Sequence, residues 1–257
     1  MTKTVSHASC IPASPARRGG CWALALMAGT LAGQATASAY DIGDTGVGSG
    51  FKVKAQSIRS SIGHQVHWTR PALEVGWGFA PGLEATLGSG YGMADGYGGH
   101  RRHGSHDMKL ALKWQLPDVL PAALQWAVEP EILLPTGSRA AGMGGAGTGA
   151  SLPLRASRAL GRMLATGQLA WVKPPGEDAG WSAGALLEYE AAPALWLGVE
   201  MLHDAPGTTP AFQRASLGFR WERSTRLLVF GALGRSWRTP AEDAERSVRI
   251  GVEYAFE

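Results

Sequence analysis

Charged side chains recur at every second position in several stretches of the sequence, where they alternate with apolar ones. Lys109 and Lys113 alternate with Leu110 and Leu112, for example. In an extended strand this spacing puts the charges on one face and the apolar side chains on the other. The residues that could line a charged lumen in this way are Lys109, Lys113, Glu129, Glu131, Glu188, Glu190, Arg214, Arg220, Arg249 and Glu253. They predict either a constriction that filters solutes or an internal salt-bridge network that fills a narrow barrel.

A second group of chemically active residues lies in loop 92–106. It contains His100, His103 and His106 together with Arg101 and Arg102. Imidazole is a common metal ligand and guanidinium pairs well with phosphate, so the loop could bind a metal ion or lipopolysaccharide phosphates. The histidine spacing matches no defined metal motif, and a solvated basic loop is the simpler interpretation. No metal site is therefore predicted, and the three histidines are only weak candidates.

Catalytic patterns are weak throughout. A hydrolase would need a serine–histidine pair, and the nearest approach is His203 and Asp204 with Ser182 or Ser216. No G-x-S-x-G is present, and the glycine-rich loop 138–149 lacks the Lys-Ser/Thr ending of a phosphate-binding loop. The sequence predicts neither an enzyme nor a bound cofactor.

The charged residues must be positioned by strands, because period-two alternation dominates the chain after residue 39. In 246–256, Val248 and Ile250 fall on one face, and Arg249 and Glu253 fall on the other. About twelve strands are predicted, with ten as the alternative count. They cover residues 51–59, 66–79, 82–91, 106–116, 123–134, 148–160, 163–173, 180–190, 194–203, 212–222, 225–235 and 246–256.

The connections between these strands alternate in length. Those after the even-numbered strands are tight, as in 80–82, 161–162 and 223–224, whereas most of the others are longer and rich in Gly, Pro and charge. Bacterial outer-membrane barrels have short periplasmic turns, long extracellular loops and an even strand count. The alternation therefore predicts a barrel with both termini in the periplasm.

The chain after residue 39 has no run of 18 apolar residues that could form a transmembrane helix. If this part spans a membrane it must be a closed barrel, because its backbone polar groups have to be satisfied within lipid. A soluble sandwich or lipocalin-type barrel is the alternative, but it would bury many charges in a dry core at a prohibitive cost. The predicted fold is an all-β, transmembrane, antiparallel up-and-down β-barrel.

The first 39 residues have the features of a secretory signal peptide. Arg17 and Arg18 precede the apolar run 21–32, and Ala37-Ser38-Ala39 forms a cleavage site. The predicted domains are a cleaved signal peptide over 1–39 and an outer-membrane barrel over 40–257. Both cysteines lie in the first segment, so the mature chain has neither a disulfide nor a thiolate metal site. A net charge of +3 spread along the chain does not suggest nucleic-acid binding.

Two motifs resemble a known family. Residues 106–113 (HDMKLALK) are followed by 129–137 (EPEILLPTG), which ends in L-P-T-G, and then by the glycine-rich loop 142–149. This arrangement is similar to that of outer-membrane proteins associated with meta-pathway phenol degradation. The resemblance implies an outer-membrane channel for small, often aromatic, organic molecules. The chain departs from the usual barrel ending, because Glu257 follows the terminal aromatic residue Phe256.

Three functions follow as hypotheses. A passive channel for small organic solutes comes first, a structural or surface-interaction barrel with a plugged lumen second, and a barrel hydrolase acting on lipids third. The expected partners are outer-membrane lipids and lipopolysaccharide, the barrel-insertion machinery and small-molecule solutes.

Overall fold

The computed structural model describes residues 39–63, 65–95, 100–117, 124–205, 207, 211–238 and 244–256. Apart from Ala39, the predicted signal peptide lies outside the described residues, and its cleavage stays a prediction. Within the described residues, no helix is long and apolar enough to cross a membrane.

The described residues form fourteen antiparallel strand segments in one sheet. These are β1 (Gly50–Ile62), β2 (Gln65–Ala80), β3 (Leu83–Asp95), β4 (Arg101–Ser105), β5 (Met108–Leu116), β6 (Gln125–Val128), β7 (Glu131–Leu134), β8 (Gly149–Leu160), β9 (Met163–Lys173), β10 (Gly180–Ala192), β11 (Leu195–Ala205), β12 (Phe212–Glu222), β13 (Leu227–Arg238) and β14 (Glu245–Ala255). A 3-10 turn, Arg139–Ala141, lies between β7 and β8.

Two pairs of segments are interrupted barrel strands. Segments β4 and β5 both pair with β3, and β6 and β7 both lie between β5 and β8. The second break falls at Glu129-Pro130, where proline has no N–H to donate to the ladder. Since β1 also pairs with β14, the sheet closes on itself. The result is a closed antiparallel barrel of twelve strands, which confirms the predicted fold class and excludes the ten-stranded alternative.

The two faces of the wall differ sharply in polarity. Large apolar side chains point outward around the barrel, and Leu217 and Leu233 are 61% and 62% exposed. The buried inward positions are largely polar or charged, among them Lys113, Arg155 and Glu188. An apolar exterior around a polar interior is the arrangement of a membrane barrel and the reverse of a soluble one.

The two ends of the barrel also differ. Tight turns at 81–82, 161–162 and 193–194 gather at one end, called here the short-turn end. Gly82 and Gly161 have φ of +73° and +65°, values that glycine adopts without steric cost. At the same end the N–H of Phe256 donates to the carbonyl of Phe51 at 2.7 Å. The opposite end, called the long-loop end, carries the longer connections, including 135–148.

Candidate functional site: the barrel lumen

The lumen is occupied by residues 39–49, the N-terminal plug, which precede β1 and are not part of the wall. Ala39, Tyr40 and Ile42 are buried, and Ile42 is 0% exposed. The plug leaves the wall at the short-turn end, where a Cβ added at Gly78 would lie 1.8 Å from the carbonyl oxygen of Gly48. Gly78 therefore leaves the space through which the chain enters the lumen.

Two arginines of the wall hold the carboxylate of Asp41. Arg249 Nη2 lies 2.8 Å from Asp41 Oδ1, and Arg214 Nη1 forms an ion pair with Oδ2. Arg249 Nη1 also donates to the carbonyls of Ala39 and Tyr40, both at 3.2 Å. Burial alone would raise the pKa of Asp41, but the guanidinium groups of Arg249 and Arg214 outweigh it and lower that pKa. The plug is thus tied to β12 and β14 by charge.

An apolar patch lies beside this arginine pair. Tyr40 and Ile42 of the plug belong to a buried cluster whose lumen-facing wall members are Leu186, Leu202, Leu228 and Phe230. The patch interrupts the polar lining of the lumen, and it offers an apolar side chain a surface away from water.

Glycines on two neighbouring strands make room for the Tyr40 ring. A Cβ added at Gly198 would lie 2.5 Å from Tyr40 Oη, and one at Gly218 would lie 2.9 Å from Tyr40 Cε1. Burial, together with the nearby carboxylates of Glu188 and Glu200, raises the pKa of Tyr40, so the phenol stays neutral. The ring therefore sits in a fitted cradle as an uncharged group.

The other end of the plug is anchored by Lys113, whose Nζ lies 2.9 Å from Asp44 Oδ1 and 3.5 Å from the carbonyl oxygen of Gly46. Between the two anchors, the backbone N–H of Ile42 donates to Glu200 Oε1 at 2.6 Å. Attachment through carboxylates, backbone carbonyls and a backbone N–H resembles the binding of a ligand to a receptor more than the continuation of a sheet.

Wall residues around Asp44 form a dense network of ion pairs. Glu74 accepts from Lys54 at 2.8 Å and from Lys109 at 2.9 Å, and Glu84 accepts from Lys52 at 2.8 Å. Arg155 pairs with Glu129, which lies at the break between the neighbouring segments β6 and β7, and donates through Nε to Gln168 at 2.7 Å. A cavity of about 120 Å³ remains between these groups, and Lys109, Lys113, Glu129, Glu131 and Glu253 contribute to its lining.

A separate group of charges lies nearer the short-turn end. Arg220 Nε lies 2.8 Å from Glu188 Oε1, and Arg220 Nη1 lies 2.9 Å from Glu222 Oε1. The guanidinium also lies over the ring of Trp196, 4.7 Å from its centroid. Glu190 follows Glu188 on the same face of β10 by strand alternation.

A second cavity, of about 170 Å³, lies on the other side of the plug, against β12, β13, β14 and β1. Arg214 and Arg249 are part of its lining. The remaining polar lining consists of Asp41, Ser60, Glu200, Ser216, Ser236, Glu245 and Ser247. The plug thus separates two small polar cavities within one lumen.

The three candidate histidines do not converge. His106 is stacked on His67 with ring centroids 5.5 Å apart, and its Nε2 lies 3.0 Å from Thr69 Oγ1. His103 instead lies beside Tyr91, at 6.1 Å between centroids, and His100 is exposed. In the part of the chain that the structure describes, no three His, Cys, Asp or Glu side chains are arranged to hold a metal ion.

The glycine-rich loop is held in place by Asp107. Asp107 Oδ1 accepts the N–H of Gly137 at 2.8 Å, and Oδ2 accepts that of Gly145 at 2.7 Å. Loop residues Ala141 and Gly142 line a cavity at the long-loop end together with parts of β1 and β2. The loop therefore packs at the mouth of the barrel.

The weak hydrolase set is not assembled. Ser182 and Ser216 are buried on the lumen face, whereas His203 is exposed on the alternate, outward face of β11. The wall of the barrel lies between the histidine and both serines, so these residues cannot act as a catalytic pair.

Sequence reasoning missed the plug and its wall contacts. Residues 39–49 show no strand alternation, and their partners, such as Arg214 and Arg249, lie more than 170 positions away along the chain. Lys52 and Lys54 were also missed, although their period-two spacing in β1 was a usable signal.

No protein-family model matches this sequence, and neither does the sequence of any curated protein. The fold is similar to solved outer-membrane channels. An outer-membrane channel from Pseudomonas putida F1 is 15% identical, with a TM-score of 0.63 over 84% of this chain and 100% of that one. The NanC porin is 10% identical, with a TM-score of 0.56 over 79% of this chain and 100% of that one. The KdgM porin is 13% identical, with a TM-score of 0.52 over 79% of this chain and 99% of that one. At these identities the likeness establishes the fold, that of an outer-membrane β-barrel.

Proposed function

We propose that the protein is an outer-membrane channel for the passive passage of small, often aromatic, organic solutes. The observation that carries this proposal is the way in which the plug is held in the lumen. The plug lies in the lumen, is separate from the strands of the wall, and is held there by ion pairs, hydrogen bonds and a small apolar contact. Such a segment can leave the lumen without disturbing the barrel. The resemblance to proteins associated with phenol degradation supports the aromatic solute class.

Single-channel conductance in planar bilayers tests this proposal. The unaltered barrel is expected to conduct in small, infrequent steps. The double variant D41N/D44N removes both plug carboxylates and is expected to conduct in larger and longer steps, because Arg249, Arg214 and Lys113 lose their charged partners. Asp95→Asn is the matched control, since Asp95 lies outside the plug and forms an ion pair with the exposed Arg101 at 3.3 Å.

The second candidate function, a structural barrel with a permanently closed lumen, is supported by the dense ion-pair network of the wall. A well-inserted D41N/D44N barrel that never conducts would favour this candidate and refute the channel. If the channel is open, Glu131→Gln, which changes the charge of the 120 Å³ cavity, is expected to alter ion selectivity.

We also propose that the short-turn end faces the periplasm and the long-loop end the exterior, where the basic loop meets lipopolysaccharide. This follows the usual contrast between short periplasmic turns and long outer loops. Single cysteines can test it, because residues 40–257 contain none. A membrane-impermeant maleimide is expected to label Ala146→Cys on intact cells and Arg162→Cys only after permeabilisation. The reverse pattern would refute this orientation.

A further inference from the structure

The plug residues Tyr40 and Asp41 occupy two adjoining surfaces of the wall that differ in chemistry. Asp41 lies between two arginines, and Tyr40 lies against the apolar patch and the two glycines of the cradle. The wall therefore presents a site for a carboxylate next to a site for an aromatic ring.

The arginine pair depends on the plug for its counter-charge. In the part of the chain that the structure describes, the ion pairs of Arg214 and Arg249 are both made with Asp41. Of the wall carboxylates nearby, Glu245 accepts the hydroxyl of Ser236 at 3.4 Å, and Glu200 accepts the N–H of Ile42, which is part of the plug. When the plug leaves, both guanidinium groups lose the carboxylate with which they form these ion pairs, and a replacement anion is favoured because unpaired charges in a partly buried site are costly.

The site is also open to an incoming solute. The side chains of Asp41 and Arg214 remain 25% exposed and that of Arg249 remains 22% exposed, although all three are engaged. They face the cavity of about 170 Å³, whose lining includes four serines that can donate hydrogen bonds to a carboxylate or hydroxyl oxygen. A solute in this cavity can therefore compete with Asp41 before the plug has left.

We propose that the wall around Arg214, Arg249 and the Tyr40 cradle is a binding site for a small aromatic carboxylate, which displaces Tyr40 and Asp41 of the plug. Because two guanidinium groups converge on one carboxylate, the site favours an acid over a neutral analogue of the same shape. Because the cradle accepts a ring between glycines, it favours an aromatic acid over an aliphatic one. This inference rests on the proposed channel function, and it specifies the class of solute that the channel takes.

Calorimetric titration of the purified full-length barrel with benzoate tests the site without reference to conductance. Benzoate is expected to bind, whereas benzamide and acetate are expected to bind at least about tenfold more weakly, since each lacks one of the two recognised features. The variant R214Q/R249Q is expected to lose benzoate binding. Its control is Arg235→Gln, which removes an outward-facing arginine and is expected to bind benzoate as the unaltered barrel does.

A plug variant separates binding from any folding defect of the wall. Asp41→Asn leaves every wall residue intact and weakens the internal competitor, so benzoate is expected to bind about tenfold or more tightly. Unchanged affinity in Asp41→Asn, or equal binding of benzoate and benzamide, would overturn the proposed site. If the barrel conducts but benzoate does not bind, this inference fails and the channel stands. If benzoate binds but no variant conducts, the channel fails and the site stands.

Discussion

At the scale of single residues, the lumen is organised by carboxylates with different partners. Glu74 and Glu129 pair with bases on other strands of the wall, so they contribute to the wall itself. Asp41 and Asp44 also pair with wall bases, but they lie on the plug. Ion pairs of the same type therefore have two roles. Those of Asp41 and Asp44 can be broken without loss of a contact between strands of the wall.

Acidification is expected to release the plug through Asp41. Because the pKa of Asp41 is lowered, its contribution to plug binding is complete above the ordinary carboxyl value of about 4 and is lost as the pH falls through the lowered pKa. Conductance measured from pH 7 downward should therefore be constant to about pH 4 and rise below it. Asp41→Asn should conduct more at neutral pH, and its difference from the unaltered barrel should vanish in acid. A difference that persists below the transition would contradict this prediction.

Arg220 is expected to be a stabilising residue of the wall. Its substitution by Met leaves Glu188 buried without its charge partner, and breaking a buried pair in this way costs about 3–5 kcal/mol. The free energy of unfolding in urea, measured in liposomes, should show this loss. The double variant E188Q/R220M should recover part of it, whereas Arg158→Met, which removes an exposed arginine, should change stability by less than about 0.5 kcal/mol. Equal losses in R220M and the double variant would refute the pairing argument.

At the scale of elements, the strands were predictable and the non-strand segments were not. The ranges predicted for β2, β8, β9 and β12 agree with the structure to within about two residues, because alternation is a local signal. Segment β4 was assigned to a loop, since Arg101–Ser105 contains no apolar residues to mark an outward face. The plug and the glycine-rich loop held by Asp107 depend on contacts between residues distant in sequence. The chain carries no periodic signal for such contacts.

The cradle is expected to control how firmly the plug is held. In Gly198→Ala the new Cβ would meet the Tyr40 ring and the Glu188 side chain but no backbone atom within 3 Å, so the wall should survive while the ring is displaced. Larger single-channel steps are expected. Gly167→Ala is the control, because a Cβ there would meet nothing within 4 Å. Steps of unaltered size in Gly198→Ala would show that the ring does not hold the plug.

Asp107 is expected to protect the loop 135–148 from proteolysis. In Asp107→Ala the N–H groups of Gly137 and Gly145 lose a charged acceptor, and such bonds contribute about 1.5–3 kcal/mol each. Trypsin should then cleave after the exposed Arg139 at least about tenfold faster, as followed by mass spectrometry. Asp95→Ala should leave this rate unchanged. Cleavage at the original rate in Asp107→Ala would mean that the loop is held by other contacts.

At the scale of the whole molecule, the wall is apolar outside and largely polar inside, the reverse of a soluble barrel. This polarity made a membrane barrel predictable from the sequence, but it did not predict what the lumen contains. Apolar outward positions such as Leu217 and polar inward positions such as Ser216 alternate along most of the strands, so period two marked both faces. The pairing of inward charges with one another depends on how the barrel closes. Their pairing with the plug depends on a segment whose sequence shows no strand alternation. The lumen could therefore be predicted to be charged, but not to be occupied.

The same polarity predicts where the barrel tolerates a charge. Leu233 points outward near the middle of β13, so Leu233→Arg is expected to cost about 2–4 kcal/mol in a bilayer, where an arginine at the midplane is poorly solvated. Gln213 also points outward but lies near the end of β12, so Gln213→Arg is expected to cost no more than about 1 kcal/mol. Unfolding from liposomes measures both. In a soluble barrel the two exposed substitutions would be similarly neutral, because both side chains would be in water. A depth-dependent penalty therefore tests the membrane placement directly, and equal small effects at both positions would contradict it.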